Sequence, residues 1–352
     1  MNKLFENQYL FSQLLSDNRT VIMGFSIISI MLYHQNWFVN GPFNQWVQML
    51  GYIGVEVFLL VSGFGIAHSL CKNDIMTYYR NRFCRLMPAC VVYGVLKLIC
   101  THIPGMPQSN DFFLCDLFSI SHWYIYAIVV YYAIAPLLFK AVNKYGWCIL
   151  IATSVVSYIL ICFWQYDAAA NYFLKYGRWI VKRLPVFILG ITIALKPLNL
   201  KPLSYCSLGI MFMLANIICL RYIITVNANP EISTIPARFF ASLPDRQVIP
   251  DNGRFLLDML SVLFLCPLFA GLGRVFQKIK MSPIITWFGA SSLELYLCHQ
   301  FIYKLVENNG DNNSARNFFI SLIIILIFSV IIKRVAAILR NSIKSAFFVV
   351  NI

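Results

Sequence analysis

Charged residues are scarce in this sequence: they form 12% of its 352 residues, whereas hydrophobic residues form 59%. Soluble domains carry about 25% charged residues, so this composition excludes an ordinary soluble globular protein and predicts a polytopic membrane protein. Basic runs with interleaved aromatic residues, which would indicate nucleic-acid binding, are missing as well. We therefore expect no nucleic-acid partner, and we attribute the net charge of +14 to loops that face the anionic lipid of a bilayer.

Paired cysteine motifs are also absent, because the eleven cysteines form no C-x-x-C pair. Most of them lie in apolar segments, as small packed side chains do, so we expect neither a disulfide framework nor a metal site. The sequence shows no recognisable cleavable signal peptide, internal repeat or appended soluble domain. We therefore expect residues 1–352 to form a single integral membrane domain.

The apolar segments predict an all-α fold with about ten transmembrane helices. Their approximate ranges are 20–38, 49–71, 88–103, 122–139, 146–164, 180–196, 203–225, 255–275, 284–305 and 317–338. If the N-terminus is cytoplasmic, the inner segments hold 17 of the 28 Lys and Arg residues and the outer loops hold nine, although the stretch 175–183 contradicts this bias. The positive-inside rule then places both termini in the cytoplasm, with residues 72–87 on the same side.

Three of the ionisable residues inside apolar segments are candidates for function. His34 follows residues 21–33, which contain no charged residue, and Glu56 and Glu294 lie in the second and ninth predicted helices. An ionisable group in hydrocarbon is costly and indicates function by default. The alternative for His34 is a neutral, packed histidine that is hydrogen-bonded to a neighbouring helix. Ser62 is followed by Gly63, a small surface that a helix or a ligand can approach closely, although helix packing alone explains this pair best.

Two arginines, Arg82 and Arg85, stand three residues apart and therefore share one face of a helix. A pair of guanidinium groups at the inner boundary could hold a phosphate group. On charge alone, a positive-inside anchor is the favoured explanation of the same residues. Pro88 is expected in the first turn of the third helix, where its missing N–H costs nothing.

Polar and aromatic residues recur in two further segments. Trp123 opens the fourth helix and is typical of the aromatic belt at a membrane interface. In the ninth helix, Ser292, Tyr296 and His299 recur at helical spacing. So many polar residues in one apolar helix predict a lined cavity.

In the order in which they occur, these segments resemble acyltransferase family 3, the multi-pass membrane enzymes that O-acylate bacterial surface polysaccharides and related acceptors. The resemblance runs from about residue 19 to about residue 305, and six short motifs in the same order carry it. They are Tyr33-His34; Gly54-Val55-Glu56-Val57-Phe58 through Ser62-Gly63-Phe64; Arg82-x-x-Arg85-x-x-Pro88; His122-Trp123-Tyr124; Arg183-Leu184-Pro185-x-Phe187-x-x-Gly190; and Gly289-x-x-Ser292-x-Glu294-x-Tyr296-x-x-His299.

The resemblance implies an acyl-CoA donor, expected to be acetyl-CoA, at the cytoplasmic side of the bacterial inner membrane. The implied acceptor is a hydroxyl group of a cell-surface carbohydrate or a lipid-linked glycan, such as the O-antigen of lipopolysaccharide. An alcohol is a poor nucleophile at neutral pH and needs a general base. His34 suits that role, and either Glu56 or Glu294 would orient it or the acceptor.

The remaining predicted roles concern binding. Arg82 and Arg85 are expected to hold the phosphate groups of the donor. The residues expected to contact substrate are Ser62, Trp123, Ser292, Tyr296 and His299.

The sequence departs from the family at one position. Many members carry an arginine or lysine eleven residues before the first-helix histidine, and here that residue is Met23. Arg19 lies one turn earlier on roughly the same helical face and is the predicted substitute for holding the donor. Two other interpretations stay open. One is a transporter or flippase for a glycan or lipid-linked sugar, and the other is an inactive relative with a structural role.

Overall fold

The structure, a computed structural model, describes residues 11–35, 42–101, 123–163, 172–197, 204–215, 248–309 and 314–349. Within these ranges the chain is all-α and contains no strand, as the sequence predicts. The helices are α1 Phe11–His34, α2 Pro42–Lys72, α3 Ile75–Thr101, α4 Trp123–Tyr145, α5 Trp147–Phe163, α6 Tyr172–Leu195, α7 Ser204–Ala215, α8 Val248–Lys278, α9 Ser282–Ala290, α10 Ser292–Asn309 and α11 Ser314–Val349.

Five stretches of these helices are long and apolar enough to cross a membrane: Gly51–Lys72, Ile75–Thr101, Trp123–Tyr145, Leu256–Lys278 and Ala315–Ile343. The shortest has 22 residues, which corresponds to about 33 Å at 1.5 Å per residue. The hydrocarbon core of a bilayer is about 30 Å thick. The chain is therefore a multi-pass membrane protein, while the expected total of ten spans and the cytoplasmic placement of both termini stay predictions.

Helix α11 presents an apolar stripe on its outer side. Phe319, Ile323, Ile327, Ile331 and Val335 recur at every fourth residue and are 40–60% exposed. Such a stripe matches a face that contacts lipid rather than water. The opposite face carries small buried residues, which let neighbouring helices approach closely: Ser321, Ser329 and Ala336.

The third helix begins earlier than the sequence predicts. Helix α3 begins at Ile75 rather than near residue 88, and Asp74 caps it by accepting a 3.0 Å hydrogen bond from the Thr77 backbone N–H. Hydrogen bonds from Thr77 hold the pKa of the Asp74 carboxyl below its usual range. Pro88 therefore lies inside the helix, and its expected place in the first turn is wrong. A hydropathy pattern does not detect the start of α3 because its first residues are polar. The N-cap and the helix-forming Arg residues explain why the helix begins there.

The ninth predicted helix is interrupted at Ser291, which separates α9 from α10. The Ser291 backbone N–H still donates to the Trp287 carbonyl at 3.0 Å, so the break is a tightened end of α9. Two glycines allow close packing of α9 on α1: a Cβ atom at Gly289 would collide with the Thr20 carbonyl, and one at Gly24 with the Ile285 carbonyl. Gly and Ser are weak helix formers, which explains why the interruption falls here.

The chain forms two compact units, each made of three separate segments. The first unit comprises Met1–Arg19, Glu56–His68 and Leu137–Val275. The second comprises Thr20–Val55, Ser69–Pro136 and Phe276–Ile352, and in it α3, α10 and α11 pack against one another. The expectation of one integral membrane domain without an appended soluble domain stays a prediction.

Within the first unit, α2 and α6 pack backbone against backbone. A Cβ atom at Gly63 would collide with the Phe187 carbonyl, and one at Gly190 would collide with the Leu60 carbonyl. This geometry explains Gly63 by helix packing, the simpler of the two interpretations of the Ser62-Gly63 pair. Ser62 itself is half-buried.

Two cations assigned to an outer loop lie inside a helix instead. Lys182 and Arg183 belong to α6, which begins at Tyr172 rather than near residue 180, and both side chains are buried. The loop placement of these two residues is therefore wrong. The positive-inside rule concerns charges in loops, and these two side chains are buried close to carboxylates. They therefore no longer count as outer-loop cations, and fewer residues of the stretch 175–183 contradict the rule.

Candidate functional site

The structure brings together two of the predicted site residues in the second unit. His34, the last residue of α1, and His299, in the middle of α10, lie with their ring centroids 5.0 Å apart. The distance from His299 Nε2 to His34 Nδ1 is 3.2 Å, within hydrogen-bond range. The pair is therefore a direct contact between the first-helix histidine and the polar stripe of the ninth predicted helix.

The neighbouring carbonyl groups determine which nitrogen atoms carry hydrogen. His299 Nδ1 lies 2.7 Å from the Tyr296 carbonyl oxygen, and His34 Nδ1 lies 2.9 Å from the Ile30 carbonyl oxygen. A carbonyl only accepts, so both Nδ1 atoms donate, and in neutral rings both Nε2 atoms carry the lone pair. The single Nδ1–H of His34 is then shared between the Ile30 carbonyl at 2.9 Å and His299 Nε2 at 3.2 Å, and the basic nitrogen left on His34 is Nε2.

The two rings differ in their accessibility. His299 is fully buried, whereas His34 is half-buried. Within the described part of the chain, Nε2 of His34 makes no hydrogen bond. The half-buried ring therefore carries the basic nitrogen, and the buried ring contacts it on the Nδ1 side.

Aromatic rings surround this histidine pair. The Tyr296 ring lies 5.4 Å from His299, and the Tyr124 ring lies 4.8 Å from Tyr296. Trp123 is next to Tyr124 with ring centroids 6.0 Å apart. Sequence reasoning singled out Tyr296 and Trp123 but not Tyr124, although Tyr124 stands in the same short motif. His122, the first residue of that motif, lies outside the described residues.

A second polar cluster in this unit surrounds Glu294 in the first turn of α10. The positive charges of Lys333, Arg340 and Arg85 act on its carboxylate. Lys333 Nζ donates a 2.9 Å hydrogen bond to the Ser291 hydroxyl, at the break just before α10. Ser292 is the first residue of α10 and is buried. Sequence reasoning used Lys333 and Arg340 only as inner-loop charges and so missed their place in this cluster.

Arg340 reaches α3 at the point where that helix lacks a donor. Pro88 has no N–H to give to the Cys84 carbonyl one turn earlier. Arg340 Nε supplies the missing donor to that oxygen at 3.1 Å. Lys333 and Arg340 are seven residues apart, which places them on one face of a helix two turns from each other. This spacing is the signal in the sequence that could have indicated that the two residues act together.

The two arginines of α3 share a helix but not their surroundings. Arg82 is half-buried, and its guanidinium carbon lies 5.6 Å from the ring centroids of both Tyr78 and Tyr132. Arg85 is exposed, on the side where its charge acts on Glu294. Arg82 is therefore packed against aromatic rings, whereas Arg85 is exposed. The contact of both residues with the donor stays a prediction.

The other carboxylate, Glu56, belongs to a buried charge network in the first unit. Its Oε1 atom lies 2.9 Å from Arg183 Nε, and the side chains are 4% and 2% exposed. The charges of Asp258 and Lys182, both buried, also act on Glu56. Arg183 lies within the motif that carries the family resemblance, but sequence reasoning gave it no role.

Arg19, the predicted substitute for the missing cation at Met23, is a half-buried residue of α1. Its guanidinium lies beside Gly65 of α2, close enough that a Cβ atom there would meet Nη2 at 2.8 Å. The described residues contain no group of three or more His, Cys, Asp or Glu side chains arranged to hold a metal ion.

A comparison with protein families identifies the family of the chain. The family model described as an acyltransferase domain, family 3, matches residues 21–334, nearly the whole chain and all of the site residues named above except Arg19 and Arg340. No curated protein matches the chain significantly. No solved structure matches it significantly either. The motifs in the sequence and the match to the family model agree, and the chain is a helical multi-pass membrane protein. This chain therefore belongs to acyltransferase family 3.

Proposed function

We propose that this protein is a membrane O-acyltransferase of the bacterial inner membrane that transfers an acyl group, specifically acetyl, from acyl-CoA to a hydroxyl group of a cell-surface carbohydrate or lipid-linked glycan. Membership of an acyltransferase family supports the reaction class. The observation that carries the mechanism is the histidine pair, in which Nε2 is the basic nitrogen of the half-buried His34 ring.

In the proposed reaction, His34 Nε2 removes the proton of the acceptor hydroxyl while its oxygen attacks the thioester carbonyl carbon. The new C–O ester bond forms, the C–S bond breaks, and the departing CoA thiolate takes the proton from His34. His299 acts as a positioning residue, because its Nε2 accepts the Nδ1–H of His34 and favours the ring orientation that presents Nε2. This role was expected of Glu56 or Glu294, whereas the described partners of the His34 ring are Ile30 and His299.

The proposal is tested by mass analysis of surface glycans from cells with and without the protein. Loss of an acyl-sized mass increment that returns with the wild-type chain is the expected result. His34→Ala should abolish this return, with a rate at least about 100-fold lower, while the variant accumulates in the membrane at the normal level. His68→Ala, which changes an exposed histidine of α2, is the matched control and should restore acylation.

Two outcomes contradict the proposal. If His34→Ala restores normal acylation, His34 is not the base. If loss of the protein removes whole glycans from the surface rather than an acyl group, the transporter or flippase interpretation is correct instead.

The role of His299 has its own test, which separates positioning from packing. His299→Phe keeps a ring in the buried site but removes the acceptor for His34 Nδ1–H. Loss of one hydrogen bond of this kind predicts a roughly tenfold lower kcat, an unchanged KM for the donor, and a changed pH dependence of kcat. A variant that only disturbed packing would lower the amount of folded protein and leave the pH profile of the remaining activity unchanged.

A further inference from the structure

An apolar groove lies between α9 and α11 in the second unit. Its volume is about 660 Å³, within the range of about 300–1,000 Å³ that is usual for small-molecule sites. Aliphatic and aromatic side chains of both helices form its walls, among them Ile284, Trp287 and Phe288 of α9 and Ile327, Val330 and Ile331 of α11. The groove therefore suits an apolar ligand.

The groove opens on the lipid-facing surface of the protein. Ile327 and Ile331 line it and also belong to the exposed apolar stripe of α11. Walls without a neighbour lose their dispersion contacts, and an apolar cavity does not hold water. In a bilayer, the occupant that restores these contacts is a hydrocarbon chain.

The groove is built on the helices that form the histidine pair. The backbone of Ile285, next to the groove residue Ile284, lies against Gly24 of α1. His34 lies ten residues further along α1, or about 15 Å at 1.5 Å per residue. On the other side, α9 is followed directly by α10, which carries His299. A lipid that is itself a substrate gains reactivity from being held at this position, whereas bulk lipid does not.

We propose that this groove, here called the α9–α11 groove, binds the polyisoprenoid chain of a lipid-linked glycan. This inference rests on the proposed function, which leaves a free surface carbohydrate and a lipid-linked glycan open as acceptors, and it selects the second. The shape of the groove supports a methyl-branched chain, because Ile and Val have stiff side chains that hold an irregular wall in place.

Two isoleucines of α11, one turn apart, distinguish the groove from the rest of the lipid-facing stripe. Ile327 lines the groove and is 53% exposed, whereas Ile323 lies outside its lining and is 57% exposed. Ile327→Trp fills part of the groove, and Ile323→Trp, the matched control, places the same side chain in bulk lipid. Ile284→Trp fills the groove from α9, so it keeps the test informative if Ile327→Trp does not fold.

The experiment photolabels the purified full-length protein in phosphatidylcholine nanodiscs that contain a polyisoprenyl phosphate with a diazirine within its chain. The labelled residues, located by mass spectrometry of peptides, should fall within 283–288 and 326–331. Ile327→Trp and Ile284→Trp should each raise the half-saturating fraction of the probe about tenfold, because roughly ten carbon–carbon contacts with the chain are lost. Ile323→Trp and His34→Ala should be labelled as the wild type is, since neither change alters the groove.

Competition identifies the occupant. Unlabelled polyisoprenyl phosphate should suppress labelling of the groove at a much lower fraction than phosphatidylethanolamine or phosphatidylglycerol does. Equal competition by either phospholipid overturns the proposal, because the groove then holds ordinary bilayer lipid. A dimer that Ile327→Trp converts to a monomer in native mass spectrometry, with no labelling of the groove, overturns it in favour of an interface between two copies of the chain.

In cells, both groove variants should lower acylation of the surface glycan, whereas Ile323→Trp should restore it fully. No labelling of the groove, or normal acylation by both groove variants, overturns the groove proposal. Those results leave the acyltransferase proposal intact, provided that His34→Ala still abolishes acylation. Conversely, acylation that survives His34→Ala leaves the labelling pattern valid as a test of the α9–α11 groove.

Discussion

Breaking the buried ion pair between Glu56 and Arg183 should destabilise the protein strongly. The two side chains are 4% and 2% exposed and lie 2.9 Å apart. Removing one partner of such a pair leaves an uncompensated buried charge and costs about 3–5 kcal/mol. Here we expect the lower end, because Asp258 and Lys182 also act on Glu56 and soften the imbalance.

The double variant tests the physical reason. Glu56→Gln or Arg183→Met alone should each lose about 3 kcal/mol, which for a large domain is roughly 6 °C in melting temperature at about 2 °C per kcal/mol. Glu56→Gln combined with Arg183→Met leaves Lys182 and Asp258 as a balanced pair. Its loss should therefore be well below the sum of the single losses, with a coupling energy of about 3 kcal/mol.

The assay is the fraction of protein that stays monodisperse in detergent after heating, followed by fluorescence-detected size exclusion. Glu307→Gln makes the same chemical change at an exposed carboxylate of α10 and should melt with the wild type. Single variants that melt within about 1 °C of the wild type would refute the reasoning, since a shift of about 6 °C is expected. Strict additivity in the double variant would refute it as well, because it would mean that the two charges do not depend on each other.

Three further predictions follow from contacts between helices. In a Pro88→Ala background, Cys84 regains a backbone donor, so Arg340→Gln should cost about 1 kcal/mol less stability than in the wild type, measured by the same melting assay. Gly190→Leu should prevent accumulation of folded protein, because its side chain would collide with the α2 backbone, whereas Gly271→Leu, in open space, should be tolerated. If Arg19 replaces the family cation, Arg19→Gln should abolish glycan acylation and Met23→Arg in that background should restore it; normal acylation by Arg19→Gln would contradict the substitution.

The residue types of the candidate site could be predicted from the sequence, but their partners could not. A histidine in an apolar segment and a polar stripe at helical spacing each indicate function on their own, and both His34 and His299 were recognised in this way. Their contact joins residues 265 positions apart, and no local periodicity encodes which helices pack together. The same reason explains why Arg183 was not predicted as the partner of Glu56.

Helix boundaries failed wherever charge or small residues occurred within a helix. Arg82 and Arg85 precede the apolar part of α3, so hydropathy placed them before the predicted helix 88–103. Lys182 and Arg183 lie at the start of the predicted helix 180–196 and were counted as outer-loop charges, whereas α6 begins ten residues before Lys182. Buried charges are compatible with a helix when a partner neutralises them, and that partner lies elsewhere in the chain. The ninth helix was predicted as continuous because weak helix formers lower helix stability without abolishing the apolar pattern.

The histidine pair also bears on the cost of placing ionisable residues in an apolar helix bundle. Two neutral imidazoles that satisfy each other and two backbone carbonyls bring no net charge into hydrocarbon. A histidine supported by an ionised carboxylate would bring one, at a cost of several kcal/mol unless the charge were paired. The resting pair therefore lets the chain hold a basic nitrogen in an apolar helix bundle without a buried net charge at that position.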